Sequence, residues 1–184
     1  RMRFTEGDWS NAAFWLTAGA IKGSVGCQGL DMESAQGDRA IVSLLEEFGA
    51  ETKAVLNQIT ATNKEMKGIR IDASQIPDLV PVLCVAGAAA EGKTVIYNAG
   101  RLRLKESDRL AVMAECLKKI GVEVEEGEDD IIIVEGYCAP TRKLRHYRVK
   151  AGYINVTLAL NDVIEDALYL RALYVLAGNV DEEY

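Results

Sequence analysis

Between Arg101 and Arg109 the chain sets four cations, Arg101, Arg103, Lys105 and Arg109, around two acids, Glu106 and Asp108. If Arg101 to Lys105 is extended, the period of two along a strand brings three of the cations to one face. Arg109 then falls in the first turn of the next helix, where unpaired backbone N–H groups favour an anion. Such a cluster suits a phosphate or carboxylate, to which arginine offers a fork of donors and lysine a point charge. Glu106, next to Lys105, is a carboxylate whose proton affinity can be tuned for acid–base work. Asp78, after Ile76-Pro77, is a second candidate in the same stretch of chain. Each feature also has an ordinary explanation. A row of charges can guard a solvated strand edge, and an aspartate at a helix start complements the helix dipole. The residues alone leave both explanations open.

The remaining chemistry is bounded by composition. Lys and Arg total 21 and Asp and Glu total 28, a net charge of −7, which argues against nucleic-acid or membrane-surface partners. His146 is the single histidine, so a multi-histidine zinc site is excluded, and it lies in a basic run that reads as surface. Cys27, Cys84, Cys116 and Cys138 show no metal or redox spacing, and the sparse use of cysteine suggests a reduced, cytoplasmic location. Glycine-rich phosphate loops are absent. The longest apolar run, Leu79 to Ala90, falls short of the roughly 20 residues that span a bilayer.

The elements that must position these residues recur. Asp8 and Asp78 each open an apolar helical stretch, ended by Gly23 and Gly92. Arg39 and Arg109 each begin an amphipathic helix, ended by Gly49 and Gly121. All four pairs stand about 70 residues apart. The second copy predicts a strand at Ile69–Ala73, a helix from Pro77, a strand to Asn98, and a helix with a Leu110, Met113, Ala114, Leu117, Ile120 stripe. A hairpin closes it around the acidic turn Glu126–Asp130. The expected class is α+β, in strand-helix-strand-helix-strand-strand units at about 1–68, 69–138 and a partial 139–184. Trp9, Phe14 and Trp15 are expected in the core. The third unit holds one predicted helix, striped by Leu168, Ala172, Leu173 and Leu176 before Gly178, and reads as internally shortened.

Four strings in this frame resemble the C-terminal half of the EPSP synthase family. They are Glu6-Gly7-Asp8-Trp9-Ser10, Gln36-Gly37-Asp38, Asp72-Ala73-Ser74-Gln75-Ile76-Pro77-Asp78, and Asn98 through Leu110 with its Lys105-Glu106-Ser107-Asp108-Arg109 core. The resemblance implies a two-domain enolpyruvyl transferase whose domains each pack three βαβαββ units about a pseudo-threefold axis. It implies transfer of the enolpyruvyl group of phosphoenolpyruvate to the 5-hydroxyl of shikimate 3-phosphate, without metal or organic cofactor. Asp78 would accept the hydroxyl proton and Glu106 would protonate the enol methylene. Lys105 and Arg103 would contact substrate, and Arg109 would clamp phosphoenolpyruvate.

The chain departs from the family's pattern after Gly152-Tyr153. Ile154-Asn155-Val156-Thr157 stands where the family carries an Asn-Asp-His-Arg helix start, and its Lys-Ser-Tyr-Pro segment is absent. An internal deletion or frame error between Arg145 and about Leu168 would explain this, and a further N-terminal domain is expected as partner. The competing readings are a non-catalytic anion-binding module, an inactive fragment, and the related transfer to UDP-N-acetylglucosamine.

Overall fold

The computed structural model describes residues 6–105, 107–135, 144–151 and 154–161. Helix α1 (Trp9–Lys22) starts at Asp8, whose carboxylate accepts the Ser10 N–H at 2.9 Å. Strand β1 (Gly23–Gln28) leads through a loop to a 3-10 turn at Gly37–Ala40, helix α2 (Ile41–Phe48) and the hairpin β2 (Glu51–Val55) and β3 (Gln58–Thr62). After a further strand, β4 (Arg70–Asp72), and a 3-10 turn at Pro77–Leu79, the order helix, strand, helix, hairpin repeats as α3 (Val80–Ala89), β5 (Thr94–Tyr97), α4 (Arg109–Lys119), β6 (Glu123–Glu126) and β7 (Ile131–Glu135). Gly49 and Gly121, at φ of 105° and 87°, end α2 and α4 in the left-handed conformation that glycine adopts without strain.

The strands form two sheets. One runs β4-β5-β7-β6, parallel between β4 and β5 and antiparallel elsewhere. The other is β2-β3-β1-β9-β8 and antiparallel throughout, with β8 (Leu144–Ala151) and β9 (Ile154–Asn161) as a hairpin added to β1. That hairpin was not foreseen from the sequence. The predicted helix at 168–178 lies outside the described residues, as do the side chains of β8 and β9, His146 included.

α1 packs on β1 and β3 and meets α3, which packs on β5, β7 and α4. Every residue of α3 except Pro81 is buried, so the longest apolar run of the chain is a central helix. Full burial of a leucine such as Leu79 or Leu83 contributes about 1.5–3 kcal/mol. Trp9 and Trp15 are buried and Phe14 packs at the core margin, where the helical spacing put them. Ile120 breaks its stripe: α4 stops at Lys119, and the isoleucine is 63% exposed beyond the last turn. No helix among the described residues is long and apolar enough to cross a membrane.

Candidate active site

Parallel pairing of β4 with β5 sets Asp72 beside Tyr97, so the loops that follow both strands leave the sheet at the same end. The carboxyl ends of parallel strands are where α/β folds hold ligands. Asp72 ties the two loops at their base: its Oδ1 accepts the Ser74 N–H at 3.0 Å and the Asn98 Nδ2 at 3.0 Å. These bonds hold the Asp72 carboxyl below its usual range, the Ser74 backbone N–H first. Asn98 turns the chain with φ of 56°, a left-handed conformation that asparagine tolerates better than most residues.

From this latch the first loop reaches Asp78. Ile76, 7% exposed, anchors it to the core, and Pro77 supplies the φ of a helical first turn. Asp78 makes no side-chain cap to its own helix and stays half exposed. The second loop reaches Lys105 through a 3-10 turn at Gly100–Leu104, with Leu102 fully buried between exposed Arg101 and Leu104. The expected extended run at Arg101–Lys105 is therefore corrected. Burying Leu102 while its neighbours stay wet needs a three-residue turn and not a flat alternation, so the cations fan out around it.

The result is a cluster of three described side chains. Lys105 Nζ lies 3.5 Å and Arg109 Nη1 3.1 Å from the same Asp78 Oδ1. Part-exposed pairs of this kind add little to stability, about 0–1 kcal/mol each. Among the described side chains two cations thus share one carboxylate oxygen, an arrangement in which an anion can compete with Asp78 for both. Asp108 caps α4 by accepting the Ala111 N–H at 3.0 Å. That bond first, and Arg103 after it, hold the Asp108 carboxyl below its usual range. Glu106, the expected acid–base residue, lies outside the described residues.

Arg103 stands apart from this group. Its Nε donates to Glu128 O at 2.8 Å, Nη1 to Asp108 Oδ2 at 2.7 Å, and Nη2 to Glu126 Oε1 at 2.8 Å and to Gly127 O. Four of the five N–H donors of a guanidinium are thus engaged within the protein. Sequence reasoning missed these partners and the Asp72–Asn98 latch. The Asp72-Ala73-Ser74 spacing, typical of an aspartate that bonds a backbone N–H two residues on, was the available signal for the latch.

Burial pushes the Cys27 and Cys84 thiols up to about 12, so neither is a thiolate near neutral pH. Among the described residues, no group of three or more His, Cys, Asp or Glu side chains is placed to hold a metal ion.

A family model described as EPSP synthase (3-phosphoshikimate 1-carboxyvinyltransferase) matches residues 3–163. The chain is 49% identical over 128 residues to the 3-phosphoshikimate 1-carboxyvinyltransferase of Clostridium kluyveri, covering 70% of this chain and 30% of that protein. It is 43% identical over 130 residues to the enzyme of the same name from Methanocaldococcus jannaschii, again covering 70% of this chain and 30% of that protein. The solved EPSP synthase of Acinetobacter baumannii superposes with a TM-score of 0.64 at 31% identity, over 73% of this chain and 33% of the other. The chain thus spans about 30% of the length of the curated relatives it matches. The fold, the matched family model and these identities together place the chain in the EPSP synthase family.

Proposed function

We propose that this chain carries the part of an enolpyruvyl transfer site that grips phosphoenolpyruvate and moves the protons of the reaction. Shikimate 3-phosphate is the acceptor, and a separate N-terminal domain supplies the remaining contacts. The observation that carries this reading is the convergence of Lys105 and Arg109 on one oxygen of Asp78. An arriving phosphate competes with Asp78 for both cations, and its arrival frees the aspartate. The freed carboxylate takes the proton of the 5-hydroxyl as that oxygen bonds to the central carbon of the enol. Glu106 delivers a proton to the methylene carbon, so the cationic centre forms and is captured in one event. Glu106 then removes a methyl proton as the C–O bond to phosphate breaks, which restores the C=C bond, now as an enol ether of the acceptor, and releases phosphate. Lys105 and Arg109 stabilise the charge on the departing group.

Calorimetric titration of the chain with phosphoenolpyruvate tests the first half of this reading. Binding heat that is lost in Lys105→Met and Arg109→Met supports it, and a wild-type titration without heat sinks it. Steady-state phosphate release with both substrates tests the second half. The isolated chain should turn over far more slowly than an ordinary enzyme of median kcat about 10 per second. Ordinary turnover would refute the need for the second domain, because closure over the substrate needs both.

A further inference from the structure

The acidic hairpin turn between β6 and β7 holds the loop that carries Lys105 at several points. Asp129 Oδ1 accepts the Gly100 N–H at 2.6 Å, and Asp129 O accepts the Ala99 N–H at 2.9 Å. A Cβ on Gly100 would stand 2.4 Å from that Oδ1, so glycine is what lets the carboxylate approach. Arg103 reaches the same turn at Glu126, Gly127 and Glu128, and its other end holds Asp108, the cap of the helix that bears Arg109. One guanidinium therefore joins the hairpin to the loop and to the helix on either side of Lys105.

The first repeat shows that the fold does not require this strap. There Asn57 O accepts the Gly29 N–H at 3.0 Å, the counterpart of the Asp129–Ala99 bond. At the position of Arg103, however, the chain has Glu33, and the hairpin turns through Leu56-Asn57 without an acidic stretch. The backbone latch belongs to the fold. Of the two described copies, the charged strap occurs in the one where Lys105 and Arg109 stand.

We propose that Arg103 is a positioning residue that, with Glu126 and Asp129, holds the Gly100–Lys105 turn against α4 so that Lys105 and Arg109 stay within reach of Asp78. This deepens the reading above and rests on it for its ligand.

The test exploits a difference in sign. Removing acids near an anion site tightens anion binding if only electrostatics matters. The double variant Glu126→Ala, Asp129→Ala should instead weaken phosphoenolpyruvate binding about 10-fold, because misplaced groups cost more than the relieved repulsion returns. Hydrogen exchange read over the peptide from Asn98 to Lys105 should quicken by about 10-fold in the double variant and in Arg103→Met, with β5 and the C-terminal half of α4 unchanged. Arg103→Lys should fail to rescue either readout, since an ammonium lacks the fork that meets Asp108 and Glu126 together. Unchanged exchange in that peptide overturns the proposal, as does tighter binding by the double variant. If the wild-type chain gives no heat with phosphoenolpyruvate while exchange quickens as stated, the strap stands and the ligand assignment falls.

Discussion

The loop after β1 and the loop after β5 occupy equivalent places in two copies of one design, yet they carry opposite charge. Counting back about 70 residues sets Asp31, Met32, Glu33 and Ala35 against Arg101, Leu102, Arg103 and Lys105. The inward apolar position is kept while each of the others changes sign or loses its charge. The aspartates at the helix starts diverge likewise. Asp8 is used up on its own helix, bonding the Ser10 N–H and Asn11 Nδ2 at 2.9 and 2.6 Å, whereas Asp78 leaves its helix uncapped and faces Lys105 and Arg109. Gln36 stands at the place of Glu106 and ties neighbouring chain together, receiving the Trp9 N–H at 3.0 Å and donating to Gly7 O at 3.2 Å. Arg39, the counterpart of Arg109, donates to Met32 O. The frame sets where side chains arrive; a few substitutions decide whether they bond locally or meet around Asp78.

The largest effect should come from the shared apolar anchor. Leu102→Ala removes a fully buried side chain and should cost about 2–5 kcal/mol, whereas Met32→Ala, at a partly buried position, should cost about 1 kcal/mol. Denaturant midpoints measure both, and equal losses would mean that the two loops are anchored alike.

Next comes the contrast in ligand binding. Lys105→Met and Arg109→Met should each weaken phosphoenolpyruvate binding about 10- to 100-fold, the worth of a charge-assisted contact. Arg39→Met should leave it unchanged. A comparable loss at Arg39 would break the division of labour between the copies.

The helix starts provide a smaller test with opposite roles. Asp8→Ala deletes a cap and should lower stability by about 1 kcal/mol. Asp78→Ala should leave the melting temperature nearly unchanged, because its ion pairs are part exposed.

The smallest effect concerns pH. Asp38 and Asp108 are equivalents whose proton affinities move in opposite directions from the ordinary value of 3.8. Burial first, with the Asp78 and Asp8 charges adding to it, raises Asp38 against a bond from Ser10. A raised value means the native state binds the proton more tightly, so Asp38 costs stability at neutral pH and the cost fades as pH falls through its folded value. Asp108 is lowered, so the stability it contributes is present above 3.8 and is lost as pH falls through its folded value. Melting temperatures from pH 2 to 6 should therefore show Asp38→Asn gaining on wild type as pH rises and Asp108→Asn losing. Parallel curves would contradict the assigned environments.

Much of this frame was legible beforehand because its signals are local. Asp8 before Trp9, Pro77 before an apolar run and Gly121 after a striped helix act within a turn or two of chain. So does the alternation at Ile69 to Ala73, where Ile71 and Ala73 are buried and Arg70 and Asp72 are exposed. The 3-10 turn at Gly100–Leu104 was misread as extended because alternating Arg and Leu fits a strand as well as a turn. Only the core that receives Leu102 decides between them. The β8–β9 hairpin escaped notice for a related reason. Its pairing with β1 is a contact across more than a hundred residues that no local pattern announces.

Residue type and spacing by themselves determined the repeat, the α+β class, the helix boundaries and the concentration of cations around Glu106, since propensity, capping and periodicity act over a few residues. Tertiary structure alone decided which cations face Asp78 and which are bound within the protein. Arg103, Lys105 and Arg109 are alike in charge and close in sequence, but a guanidinium engages whichever carboxylates and carbonyls the fold brings within about 3 Å. For Arg103 those include Glu126, on a hairpin more than twenty residues further along the chain, and for Arg109 they include Asp78, about thirty residues earlier.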